Sequence, residues 1–155
     1  MQTRDTKRWT VLTLVGAGLL ALAGCGAPYV ATTQMSGANE NPPVTGTTSS
    51  GTATATLDGD ELTVTGTFSG LSSDLQEVAG SAAHVHQAAM GANGPVVFSL
   101  TVTAGAGGRT GSFTGTRSLS GDEQKAFKDG LFYVNVHTVN YMGGEVRGQF
   151  VPTRQ

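Results

Sequence analysis

Downstream of residue 28, apolar residues alternate with threonine, serine and glycine through most of the chain, a pattern that predicts short β-strands. Tyr29 to Ser36 reads as a first strand. Residues 37–50 read as a loop, because Asn41-Pro42-Pro43 cannot join a ladder. Thr52 to Leu57 and Leu62 to Phe68 flank Asp58-Gly59, a favoured two-residue hairpin turn, and pairing Leu57 with Asp60 sets Ala55 opposite Leu62 and Ala53 opposite Val64. Residues 70–81 are irregular, with one helical turn expected from Ser73 to Val78. A strand around His84-Val85-His86 follows, then a glycine-rich turn from Met90 to Pro95 and an apolar strand from Val96 to Thr103. Arg109 to Ser118 alternates with Phe113 as its only large apolar residue, which predicts an edge strand. Ser120 to Asp129 has the spacing of a capping box, Ser120 with Glu123, and Gly130 to end the helix. Leu131 to Val139 and Gly144 to Val151 read as the last strands, joined by a turn at 140–143. About eight short strands with one short helix near 121–129 imply an all-β fold, an antiparallel two-layer β-sandwich with Greek-key connections.

All three histidines fall in this pattern. His84 and His86 are two apart on one strand, so both rings project to one face; in the later strand Tyr133, Asn135 and His137 share the face opposite Val134 and Val136. If the two strands pair, three imidazoles converge. Imidazole suits copper, zinc or nickel, which makes His84, His86 and His137 a candidate metal site for copper or zinc. Met35, Met90, Met142, Glu40 and Asn135 are candidate supplementary ligands. A bland alternative is that the rings hydrogen-bond loop backbone and stack on neighbours such as Tyr133. Glu145 and Arg147 share a face of the last strand, and with Glu40 in the proline loop they form a candidate structural ion pair.

The first 28 residues follow a different rule. Met1 to Trp9 carries Arg4, Lys7 and Arg8, and Thr10 to Leu22 is an apolar run of signal-sequence length. It ends in Leu22-Ala23-Gly24-Cys25, which resembles the lipobox of bacterial lipoproteins. That resemblance implies cleavage before Cys25 and acylation of the cysteine, so residues 1–24 are expected to be a signal peptide, 25–28 a lipidated tether and 29–155 the folded domain. The expected location is outside the cytoplasm, tethered to a bacterial membrane and facing the periplasm or the cell exterior; Gly26 replaces the Asp that retains some lipoproteins at the inner membrane. Cys25 is the sole cysteine, which excludes an internal disulfide. From Cys25 onward six cations face ten acids, a formal charge of −4, so nucleic acid is not an expected partner and the membrane is reached through lipid. No protein partner is legible.

Three ordered stretches, SGANENPPVTGTTSSGTATATL, AHVHQAAMGANGPVVFSL and GLFYVNVHTVNYMGGEVRGQF, resemble the CHRD domain, the module of chordin that also occurs singly in exported bacterial proteins. The likeness spans Tyr29 to Val151, with Val85 and Val146 standing where the family usually has Ile. It implies the fold and a binding module, and no reaction. His-Val-His on a sandwich strand also resembles the copper strand of copper-zinc superoxide dismutases, so a copper-dependent dismutase-like enzyme is the alternative. Against it, this chain has no fourth histidine and no cysteine pair. A structural or protein-interaction module without metal is the second alternative. MGANGP lacks the context of a phosphate loop, no G-x-S-x-G elbow appears, and no carboxylate pair is placed for glycoside cleavage, so no catalytic residue is assigned.

Overall fold

The computed structural model describes residues 26–155; the leader, the lipobox and Cys25 lie outside the described residues. Ten antiparallel strands and one helix follow in order: β1 Tyr29–Ser36, β2 Ser50–Asp58, β3 Glu61–Ser69, β4 Ala83–Gln87, β5 Val96–Ser99, β6 Thr101–Ala104, β7 Gly111–Ser118, α1 Gly121–Lys128, β8 Phe132–Val136, β9 Val146–Phe150 and β10 Thr153–Arg154. The spatial order is β5-β4-β8-β9-β1-β2-β3-β7-β6, with β10 added to β1. Its two ends are consecutive in the chain. Val96 to Ala104 is one extended segment whose first half pairs β4 and whose second half pairs β7, with Leu100 as the hinge. The sheet therefore folds over on itself into a nearly closed sandwich, one layer being β5-β4-β8-β9 and the other β1-β2-β3-β7-β6. At the other seam the layers join through a single ladder position, Ser36 with Arg147.

Alternation decides what lies between the layers. Ala31, Met35, Ala53, Ala55, Leu57, Leu62, Val64, Phe68 and Phe113 from one layer pack against Ala83, Val85, Phe132, Val134, Val136, Val146 and Phe150 from the other. On the far side of β2, β3 and β7, threonine faces threonine in register, as in Thr52 with Thr67 and Thr63 with Thr116. α1 forms as its capping box requires: Glu123 N–H donates to Ser120 Oγ at 3.3 Å while Ser120 N–H donates to Glu123 Oε2 at 2.8 Å. Phe127 pins it to the core beside Phe132 and Phe150.

Four expectations change. The hairpin turn is Gly59-Asp60 and not Asp58-Gly59, so Leu57 lies opposite Leu62 and Ala55 opposite Val64. That register leaves every residue on its expected face, sets large apolar residues across from each other, and puts Gly59 at φ 60° where glycine is unhindered. Ser73 to Val78 forms no helix; its backbone is taken up by isolated bridges from Leu75 to Thr138 and from Val78 to Ser81. The Val96 to Thr103 strand divides at Leu100. Finally, β7 is not an edge: it lies between β3 and β6. Its glycines are where neighbouring side chains fill the space, since a Cβ on Gly115 would meet Leu100 Cδ2 at 2.7 Å and one on Gly111 would meet Phe68 at 2.7 Å.

Candidate metal centre

β4 pairs β8 in the register that the two histidine strands need, His84 opposite Asn135 and His86 opposite Tyr133. Val85 and Val134 enter the core, so the histidine face points away from it. That face is nevertheless covered: His84 is 1% exposed, His86 8% and His137 4%. The cover comes from loops, among them the glycine-rich turn, the proline loop and the turn that carries Met142. Gly94 in the glycine-rich turn accepts from His86 Nδ1 at 3.1 Å and donates to Tyr133 Oη at 3.3 Å, and Asn93 donates to Asn41 O at 2.7 Å, tying that turn to the proline loop. Asn39 in turn donates to Arg147 O at 3.1 Å. A register shift falls between Val85, opposite Phe98, and His86, opposite Val96, so the extra residue is Val97 and the bulge lies on β5 beside the histidine strand.

The hydrogen bonds fix the tautomers. His137 Nδ1 lies 2.9 Å from Met142 O, which can only accept, so Nδ1 carries the proton and Nε2 presents a lone pair. His84 Nδ1 lies 3.0 Å from that Nε2 and donates to it. His84 Nε2 and His86 Nε2 are then both lone pairs, buried and without a partner. One nitrogen from each of the three rings lies within 4.8 Å of the others. In these tautomers each ring offers Nε2 as its ligating atom, that of His137 once the His84 Nδ1–H turns away from it. A carbonyl behind the ligating ring is the usual outer support of a metal histidine. Neutral rings are what a metal needs, and burial lowers all three pKa values. His137 falls to about 4 under burial and the charges of His84 and His86, against the carbonyl of Met142. His84 is lowered by burial despite the nearby carbonyls of Val78 and Ala79, and His86 by burial despite Gly94 O.

Around the rings is a stacked row across three strands. His86 lies on Tyr133 with centroids 4.8 Å apart and planes at 6°, and the Arg147 guanidinium lies 3.4 Å from the Tyr133 centroid. The candidate ion pair does not form: among the described residues neither Glu40 nor Glu145 has a cation within 4 Å. Arg147 instead stacks and donates to Gln149 Oε1 at 3.1 Å. Glu145, fully buried, accepts from Ser49 Oγ, Ser72 N at 2.7 Å, Ser72 Oγ at 3.0 Å and Thr138 Oγ1 at 2.6 Å. Burial alone would raise Glu145, but these donors outweigh it and hold the carboxyl below its ordinary value. Hydroxyls answer the charge that a guanidinium was expected to answer. Strand alternation placed Glu145 with Arg147, but it could not show that residues 49, 72 and 138 supply four donors first.

Of the candidate supplementary ligands, Met35 is a core residue and Met90 and Met142 are exposed at 72% and 62%. Glu40 and Asn135 stay beside the histidines. Burial raises Glu40 to about 7 against the opposing pull of Arg147 and Asn135. A pocket of about 390 Å³ opens at Glu40, bounded also by Arg147, Gln149, Asn39 and Met90.

Neither the curated proteins nor the solved structures give a match. A family model described as the CHRD domain matches residues 31–150, which runs from within β1 to the end of β9 and takes in all three histidines. The chain belongs to the CHRD domain family.

Proposed function

We propose that this CHRD-domain chain is an exported, lipid-anchored binding module that holds copper or zinc through His84, His86 and His137. The observation that carries the reading is the pair of buried, unpartnered lone pairs on His84 Nε2 and His86 Nε2, in rings that converge with His137. Leaving two buried acceptors unmatched is costly, and a cation between the rings removes that cost. Carbonyls behind His86 and His137 hold the rings in ligating tautomers. Three imidazoles without a thiolate favour copper and zinc over the harder magnesium and calcium. Anchoring rests on the Leu22-Ala23-Gly24-Cys25 sequence and the apolar run before it.

The test is elemental analysis with copper and zinc titration of the full chain purified in detergent, beside the triple variant His84→Ala, His86→Ala, His137→Ala. About one equivalent of metal is expected in the parent and none in the variant. A parent that binds neither ion would refute the metal reading.

A further inference from the structure

Among the described residues four buried side-chain atoms make no hydrogen bond: His84 Nε2, His86 Nε2, Asn135 Oδ1 and Glu40 Oε1. All four belong to one cluster. Asn135 lies opposite His84 in the β4–β8 ladder, and its Nδ2, which donates to Gly143 O at 3.2 Å, crowds the same space beside Gly144 as the Glu40 carboxylate. Glu40 comes from the proline loop, where Glu40 N–H and Val44 N–H both donate to Gly37 O, at 3.1 and 2.9 Å, and draw the loop tight. The backbone opposite is shaped to admit the carboxylate. Gly144 sits at φ 128°, and a Cβ there would clash with Glu40 Oε1 and come within 2.5 Å of Asn135 Nδ2. Any other residue at 144 would push Glu40 out.

Glu40 is 6% exposed and has no cation within 4 Å among the described residues. A carboxylate so buried, with an oxygen unpartnered and its backbone neighbour reduced to glycine, is unexplained by packing alone. The histidine cluster also holds buried atoms without a partner, and Asn135 stands between it and Glu40.

We infer that Glu40, packed beside Asn135 over Gly144, is the outer carboxylate of the three-histidine centre and tunes it for a divalent ion. This rests on the metal reading above. Three imidazoles are neutral and supply donor atoms without charge; Glu40 supplies the one negative charge that buried ligands lack. Its attraction scales with the charge on the ion. Glu40 therefore favours Zn(II) over Cu(I), and it acts as a positioning residue that does not itself ligate.

The experiment compares Zn(II) and Cu(I) affinities of the full chain, by competition with chromophoric chelators, in the parent, Glu40→Gln and Glu40→Asp. Gln keeps the shape and removes the charge. Loss of an outer partner is expected to weaken Zn(II) about 10- to 100-fold. The Cu(I) loss should be about half as large on the logarithmic scale, and Asp should recover part of the Zn(II) affinity. Equal losses for the two ions, or none, would overturn the inference and leave Glu40 a packing residue. Failure of the parent to bind either ion would overturn the three-histidine reading along with it, so the two failures are distinguishable.

Discussion

Glu40 and His137 make opposite demands on the metal-free protein. Glu40 is raised to about 7, so between its ordinary 4.5 and that value the folded chain holds a proton that the unfolded chain has released. Stability falls as pH rises through that window, by about 3 kcal/mol once Glu40 is ionised. Glu40→Gln should therefore raise the urea midpoint of the metal-free protein at pH 8 and leave it nearly unchanged at pH 4. His137 is lowered to about 4, so between 4 and 6.5 it is the unfolded chain that holds the extra proton. Here stability rises with pH, again by about 3 kcal/mol, and His84 and His86 act in the same direction. Replacing His137 with Gln should flatten the acid limb of a stability profile measured between pH 4 and 6.5; an unchanged slope would remove His137 from this account.

At the level of elements, local signals succeeded where partners are close in sequence. The capping box of α1 joins residues three apart, and its loss in Ser120→Ala should lower stability by about 1 kcal/mol without changing metal affinity. Thermal unfolding beside a zinc titration checks both halves of that statement. The hairpin was legible as a hairpin, but its register moved by two residues, because alternation fixes which face a side chain takes and not which partner it meets. β7 was misread as an edge for a related reason. Glycine in a strand looks like missing core, whereas Gly111 and Gly115 are where Phe68 of β3 and Leu100 at the β5–β6 hinge occupy the room. Gly94 has a comparable role in the covering loop, since a Cβ there would collide with Gln87 O. Gly94→Ala should displace the carbonyl that orients His86 and weaken metal binding about 10-fold, read by the same titration.

Across the whole molecule, the extended segment around Leu100 closes the sheet, and the histidine face lies on the outside of the resulting sandwich, under covering loops. The proposed anchor at Cys25 stands only a few residues before β1, so the domain would sit close to the membrane. Mass spectrometry of the chain from a bacterial host should find it beginning at Cys25 with acyl chains attached; Cys25→Ser should lack them and leave the detergent fraction.

The sequence by itself determined the strands, the helix and its caps, and the shared face of His84 and His86 with that of Tyr133, Asn135 and His137. These depend on backbone periodicity and on hydrogen bonds between near neighbours. Only the tertiary structure decided that the polar face is buried, that each ring has a fixed tautomer, and that Glu145 meets hydroxyls while Glu40 packs beside Asn135 over Gly144. Those outcomes turn on which distant loops cover the face: Met142 and Gly94 supply the carbonyls, and residues 37–44 and 88–95 supply the cover. Periodicity cannot report them, because a residue's burial and protonation are set by whatever packs against it, and for this site that is chain up to about a hundred residues away.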